Sequence, residues 1–179
     1  MSTQTMERAA ELSGCGRYRY TLERHWDRAQ GHALFVLLNP STADATQDDP
    51  TLRKGIGFAK RLGVGGVVFV NLFAWRATDP RELPPTEDAI TGRDEHGRNL
   101  NDMHIIAQAD RVRWMSCGVI LAWGGGVPQK AIAHRDRPAA VLRQLQDLGV
   151  SLRCFGKNRD GSPKHPLYLR YGTPLERFA

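Results

Sequence analysis

The chain has 179 residues, of which 41% are hydrophobic and 25% are charged. These proportions are ordinary for a globular protein, and they exclude a collagen-like or a strongly charged disordered chain. The length fits one domain with a sizeable core. A formal net charge of +6 favours polyanionic partners such as nucleic acid or nucleotides, although many basic proteins bind neither.

The sequence offers no segment for a membrane and no cysteine framework. No apolar run approaches the ~18 residues that a membrane span needs, and residues 1–11 lack the apolar centre of a signal peptide. We therefore expect a cytoplasmic protein without a membrane partner. Cys15, Cys117 and Cys154 are far apart and form no C-x-x-C pair, so we expect free thiols.

The N-terminal part of the chain divides into a polar tail and a strand. Residues 1–16 show no sustained periodicity, so we expect a flexible tail followed by a single domain over residues 17–179. From Arg17 to Trp26 two sets of side chains alternate with a period of two, which predicts a half-buried strand. We expect this strand to be antiparallel and to lie at an edge of the sheet.

Four short apolar runs predict buried strands, and three helical patterns lie between them. The strands are expected at residues 33–38, 67–70, 118–123 and 150–155. The helices are expected at residues 50–62, 99–115 and 138–148, the first with Asp49 as its N-terminal cap. This alternation predicts an α/β fold, a three-layer α/β/α sandwich around a central, mainly parallel four-stranded sheet.

Ligands of such sheets bind beyond the carboxyl ends of the strands. Four segments are expected at that edge, namely residues 39–44, 71–79, 123–130 and 157–169. The first begins with Asn39-Pro40-Ser41-Thr42, which offers an amide, a rigid proline and two hydroxyls. Such a group can orient a water molecule or a polar ligand, and it is equally common in turns.

The second segment opens a proline-containing loop that extends to residue 87. The amide of Asn71 can read the edge of a base, or it can satisfy the loop backbone. Phe73 and Trp75 can stack on a base or pack in the core, and Arg76 follows them directly.

The last two segments offer an anion site and a proton donor. Gly124–Gly126 precede an expected helical start at residues 128–130, where Lys130 completes a candidate anion cradle; a tight turn is the alternative. His165 follows Lys164 in a loop, where it can donate a hydrogen bond to a leaving group or simply be exposed.

Taken in chain order, these motifs resemble those of the uracil-DNA glycosylase superfamily. They are Leu38-Asn39-Pro40-Ser41, the run from Val70 to Pro80, Trp123-Gly124 and His165-Pro166-Leu167. In that superfamily a first-strand loop carries Asp-Pro or Asn-Pro, a later strand ends in an asparagine, and a terminal loop carries His-Pro. The resemblance spans about residues 33–169, and the whole chain resembles more closely the bacterial domain-of-unknown-function family 1643.

The superfamily resemblance implies an N-glycosidase that removes a damaged or modified base from nucleic acid, with DNA favoured, or acts on a nucleotide. It implies no cofactor, no metal and no obligate protein partner. Asn39 would orient the attacking water, and His165 would donate to the departing base. The expected base-binding residues are Asn71, Phe73, Trp75, Pro40 and Ser41, and the expected phosphate-binding residues are Arg76, Gly124, Gly125, Lys130 and Lys164.

Two other functions fit the same residues. Leu37 stands where the superfamily has a glycine, and Leu167 stands where it has a serine, which would permit a noncatalytic nucleotide or nucleic-acid binding module. A metal-assisted phosphoesterase could use Asp44, Asp48 and His165.

Overall fold

The computed structural model describes residues 5–41, 47–129 and 132–178, which form a seven-stranded sheet with three α-helices. The strands are β1 (Glu7–Leu12), β2 (Arg19–His25), β3 (Ala33–Leu37), β4 (Gly66–Asn71), β5 (Val119–Leu121), β6 (Leu152–Cys154) and β7 (Glu176–Arg177). The helices are α1 (Pro50–Arg61), α2 (Leu100–Arg111) and α3 (Ile132–Asp147).

The strand order in the sheet is β1-β2-β4-β3-β5-β6-β7. The four central strands, β4, β3, β5 and β6, pair in parallel. β2 is antiparallel to β4, and β7 is antiparallel to β6. The α/β class and the four parallel strands are therefore confirmed, within a larger mixed sheet.

The N-terminal edge of the sheet differs from the prediction. β1 forms within the segment 1–16, where we expected a tail, and it pairs with β2 from Glu7↔His25 to Leu12↔Arg19. Most side chains of β1 are exposed on both faces, so its sequence has no need of the alternation of apolar and polar residues that predicts a strand. Because β1 covers β2, β2 is an interior strand and not the expected edge.

Alternate side chains of the central strands enter two cores, one on each face of the sheet. On one face, Leu34 and Val36 belong to a cluster that includes residues of α2 and α3. On the other face, Phe35 and Leu37 belong to a cluster that includes residues of α1. Burial on both faces explains why the run 33–38 is continuously apolar.

The helix boundaries follow capping chemistry in two cases and depart from it in the third. The backbone N–H of Leu52 donates to Oδ1 of Asp49 at 2.7 Å, as the Asp-Pro start of α1 predicts. Asn99 caps α2 in the same way. α3 begins earlier than expected, and Pro138 lies inside it although proline is typical of a first turn. Among the described residues, no helix is both long and apolar enough to cross a membrane.

Candidate functional site

A cavity of about 370 Å³ lies at the carboxyl ends of β3, β4 and β5. All four segments that were expected at this edge contribute to its wall. These segments contribute polar and aromatic side chains that include those of Asn39, Ser41, Thr78, Trp123 and His165. The volume suits a small organic ligand or part of a larger one.

Asn39 presents an acceptor to this cavity. Its side-chain Nδ2 donates to the backbone oxygen of Ala77 at 2.8 Å and to that of Pro40 at 3.2 Å. Both N–H groups of the amide are thus used to hold the loop. Among the described residues, Oδ1 of Asn39 has no hydrogen-bond donor, so this oxygen can accept from a ligand or a water molecule.

Asp49 places a carboxylate in the same cavity. One oxygen, Oδ1, caps α1, and the other, Oδ2, accepts from the hydroxyl of Ser41 at 2.6 Å. The sequence predicted only the capping role. The site role was missed because a helix cap explains an aspartate locally, whereas the cavity depends on how the strands are arranged.

His165 faces the cavity from the loop after β6. Burial lowers the pKa of His165, while the negative charge of Asp49 acts in the opposite direction. The backbone N–H of Leu167 donates to Nδ1 of His165 at 3.4 Å, which leaves Nε2 as the ring nitrogen that can carry a proton towards a ligand. Burial favours the neutral imidazole, which has one N–H to donate.

Gly124 lets the loop that carries His165 approach β5. Its φ is +76°, and a Cβ at Gly124 would lie 3.2 Å from Cβ of His165. Its N–H donates to the backbone oxygen of Pro163 at 2.9 Å. A Cβ at Gly125 would lie 3.2 Å from Oδ2 of Asp160. Both glycines line the cavity. The loops pack so closely against them that a larger residue would not fit without a shift of its neighbours.

The rest of the expected anion cradle is only partly described. Pro128 and Gln129 are not helical, so the helical start expected there is absent at these two residues. Lys130 lies outside the described residues. Lys164 is exposed and is not part of the cavity wall.

Asn71 is fully buried and does not line the cavity. Alternation along β4 puts its side chain on the same face as Phe69, which does line it. Neither Nδ2 nor Oδ1 of Asn71 has a hydrogen-bond partner among the described residues. An unpaired buried amide is uncommon and costs stability, so it points to a requirement other than stability.

The two aromatic residues expected to stack on a base lie away from the cavity. Phe73 is fully buried, and its ring meets that of His134 edge-on, with 5.1 Å between the ring centroids. Trp75 makes a similar edge-on contact with Tyr18, with 5.6 Å between the ring centroids. Phe73 belongs to the core, and Trp75 packs against it.

Two further expected residues also lie outside the cavity wall. Pro40 is buried, and its backbone oxygen accepts from the N–H of Ala77 at 2.9 Å. Nη1 of Arg76 donates to the backbone oxygen of Gly16 at 3.2 Å. Both residues thus hold the loop that follows β4.

Besides Asp49, the cavity wall contains Trp123, Tyr168 and Arg19, whose side chains the sequence did not single out. Trp123 lines the wall with 3% of its surface exposed, and Tyr168 lies at the rim with 84% exposed. Arg19 is 3% exposed and enters from the amino end of β2. Because β2 is antiparallel to β4, the amino end of β2 lies beside the carboxyl end of β4. Only the order of the strands in the sheet could therefore have placed Arg19 here.

The residues of the phosphoesterase alternative do not gather in the described structure. Oδ1 of Asp48 lies 3.0 Å from Nη1 of Arg8 and 2.8 Å from Nη2 of Arg24, and Asp48 is not part of the cavity wall. Asp44 lies outside the described residues. Among the residues that are described, no three or more histidine, cysteine or acidic side chains lie together as a metal site requires.

Comparison with known proteins identifies the family of the chain. A family model described as a protein of unknown function, DUF1643, matches residues 19–167, which contain every cavity residue named above except Tyr168. Searches of curated proteins and of solved structures found no match. The resemblance to the uracil-DNA glycosylase superfamily thus stands on the residues alone. The chain belongs to the DUF1643 family of proteins of unknown function.

Proposed function

We propose that this DUF1643 protein is a cytoplasmic N-glycosidase that hydrolyses the bond between a damaged or modified base and its sugar, with DNA as the favoured substrate. The observation that carries the proposal is the meeting of Asn39 and His165, which are remote in sequence, in one cavity. Asn39 offers an acceptor that can orient a water molecule, and His165 offers a donor to the departing base, which are two of the functions that hydrolysis of a glycosidic bond requires.

The base enters the cavity after it leaves its stack in the nucleic acid. Oδ1 of Asn39 accepts one hydrogen of a water molecule and thereby turns a lone pair of the water oxygen towards the sugar. The fixed Nδ2 bonds to Ala77 and Pro40 support this role because they hold the amide in one orientation.

The bond to the base breaks with its electron pair leaving on the base. The Nε2–H group of His165 donates to the atom on which this charge develops. A preorganised donor of this kind contributes about 2.7–4 kcal/mol to the transition state. The neutral, partly buried state of His165 supports the role because a neutral donor does not need a counter-ion.

Trp123 is the aromatic side chain on which we expect the base to stack. Its position in the cavity wall favours it over Phe73 and Trp75. Asn71 remains a proposed reader of the base edge, since its amide has no partner among the described residues. Because Asn71 is fully buried, this role requires a rearrangement that exposes it.

The layered fold and the basic charge fit the same proposal. The helices contribute to two cores on opposite faces of the sheet, which supports the three-layer α/β/α sandwich that the alternation of strands and helices predicts. A net charge of +6 supports a polyanionic substrate.

The test is a base-release assay on duplex and single-stranded oligonucleotides that carry deaminated, oxidised and hypermodified bases. We expect release by the wild type and a loss of about 10²- to 10³-fold in His165→Ala, with a loss of similar size in Asn39→Ala. His96→Ala and Asn158→Ala are matched controls outside the cavity and should keep full activity. Equal release by the wild type and both cavity variants would refute the assignment.

A chelator distinguishes this mechanism from a phosphoesterase. We expect base release to be unchanged by EDTA. Loss of activity with EDTA and its return with magnesium or manganese would refute the proposal in favour of metal-assisted hydrolysis.

A noncatalytic binding module is the second candidate, and Leu37 favours it. This leucine lines the cavity where the superfamily has a glycine, so it narrows the space near Asn39. Saturable binding of the same oligonucleotides, with no base released from any of them, would support the module.

A further inference from the structure

Asn39 can orient a water molecule, but it cannot accept its proton. A neutral amide oxygen is an acceptor of hydrogen bonds and a very weak base, so hydrolysis needs another group to take the proton. Among the described residues of the cavity wall, Asp49 has the only carboxylate. Its position therefore bears directly on how the reaction would proceed.

We propose that Asp49 is the general base that accepts the proton of the attacking water, a role that rests on the proposed N-glycosidase activity. The negative charge of Asp49 acts on His165, which places the carboxylate and the proposed donor in one electrostatic environment.

The hydrogen bonds of Asp49 leave room for a water molecule. Its carboxylate accepts from the N–H of Leu52 at 2.7 Å and from the hydroxyl of Ser41 at 2.6 Å. A carboxylate has about four acceptor positions, and donors among the described residues occupy two of them. The two existing bonds fix the plane of the carboxylate against α1 and the loop after β3.

Asn39 and Asp49 together can fix both hydrogens of one water molecule. Asn39 lies two positions before Ser41, whose hydroxyl joins this loop to Asp49. One hydrogen points to Oδ1 of Asn39 and the other to the carboxylate of Asp49. The lone pairs of the water oxygen then face the sugar, which is the arrangement that attack requires.

The step balances as follows. The water oxygen forms a bond to C1′ of the sugar while the bond from C1′ to the base nitrogen breaks, with its electron pair leaving on the base. The water proton passes to Asp49, and His165 donates a hydrogen bond to the anionic base. The proton then leaves Asp49 through solvent and neutralises the released base, which restores the carboxylate.

The alternative is that Asp49 only caps α1, and Asp49→Asn separates the two roles. Asparagine is as good an N-terminal cap as aspartate, so this variant keeps the bond from Leu52 but removes the base. Asp49→Ser is a second variant that caps the helix without a carboxylate. Asp27→Asn is the matched control, because Asp27 also caps a helical turn with one oxygen and accepts a side-chain donor with the other.

Base release is measured against pH for the wild type and the three variants, with the melting temperature of each. We expect Asp49→Asn and Asp49→Ser to keep the cap of α1, to lose no more stability than Ser41→Ala, which removes the same Ser41–Asp49 bond, and to lose about 10²-fold or more in release rate. They should also lose the fall in rate towards acid pH that protonation of the base causes in the wild type. Asp27→Asn should keep both the rate and the pH profile.

The two proposals fail in different ways. Wild-type rate and pH profile in Asp49→Asn or Asp49→Ser would overturn the role of Asp49 and leave the N-glycosidase intact. No release by the wild type from any base of the panel would overturn both. A well-folded variant can also lose rate and still show the fall in rate towards acid pH. This result would overturn the role as well, because a carboxylate that is absent cannot cause that fall by being protonated.

Discussion

The hydroxyl of Ser41 donates a hydrogen bond of 2.6 Å to Oδ2 of Asp49 and so joins the loop after β3 to the start of α1. Ser41→Ala removes this bond. We expect it to lower the free energy of unfolding by about 1–2 kcal/mol, because a hydrogen bond to a charged group is stronger than average. Base release should fall about 10-fold or more, since the carboxylate loses one of its restraints. Urea denaturation and the release assay measure the two effects.

Ser162→Ala is the matched control for Ser41→Ala. The hydroxyl of Ser162 also donates to an aspartate, Asp160, at 2.6 Å, but neither residue lines the cavity that contains Asn39 and His165. The control should lose stability without losing base release per folded molecule. An equal loss of release in the two variants would contradict a specific role for the Ser41–Asp49 bond.

Asn71→Leu tests whether the buried amide of Asn71 is kept for function. Leucine is similar in size and fits an interior strand, and it removes two polar atoms that have no partner among the described residues. We expect the free energy of unfolding to rise by about 1–2 kcal/mol, because the desolvation cost of the amide disappears. Base release should fall if Asn71 reads the base, and the two effects are measured separately.

Asn101→Leu is the contrasting variant. Asn101 is equally buried, but its Nδ2 donates to the backbone oxygens of Asn71 at 3.0 Å and Leu72 at 3.2 Å. This change removes one donor from each carbonyl, and among the described residues only that of Leu72 keeps a second one, Nε of Arg137 at 2.6 Å, so stability should fall by about 1–3 kcal/mol. A loss of stability of the same size in Asn71→Leu would show that its amide is structurally needed.

The sequence predicted the parts of the fold that local physical chemistry determines. The run 33–38 is apolar throughout because both faces of β3 are buried, and Asp49-Pro50 marks the start of α1 because each residue suits its capping position. β1 was missed because its pairing with β2 uses the backbone while most of its side chains face solvent.

The site was predictable as an edge of the sheet and less so as a set of side chains. The carboxyl ends of parallel strands brought Asn39 and His165 to one place, as the topology requires. The rule does not say which aromatic residue faces the cavity, and it is Trp123 rather than Phe73 that does so. Arg19 reaches the cavity because β2, antiparallel as expected, pairs with β4, and no local pattern reveals which strand is its neighbour.

Gly124→Ala tests the close contact between the end of β5 and His165. The change puts a side chain at φ +76° and a Cβ 3.2 Å from Cβ of His165. We expect a loss of about 1–3 kcal/mol in the free energy of unfolding and a lower rate of base release, because His165 must move. Denaturation curves and release rates measure both.

Gly161→Ala is the matched control for this contact. Gly161 has a φ of +80°, and a Cβ there would meet no atom within 4 Å among the described residues. The backbone cost is therefore the same, but the contact with His165 is absent. If Gly161→Ala and Gly124→Ala reduced stability and base release equally, the contact with His165 would have no importance of its own.

His32 makes the stability of the fold depend on pH. Burial, and after it the charges of Arg111 and His25, lowers the pKa of His32 to about 4, whereas the unfolded chain has the ordinary value of 6.5. Between these two pH values the unfolded state binds more protons than the folded state. The free energy of unfolding therefore has its full value, as far as His32 is concerned, above pH 6.5 and falls as the pH drops towards 4. We expect a loss on the order of 2 kcal/mol, measured by urea denaturation at pH 7.5 and 4.5. His32→Gln should reduce this dependence and the exposed His96→Gln should not; unchanged pH dependence in His32→Gln would assign the effect to other groups.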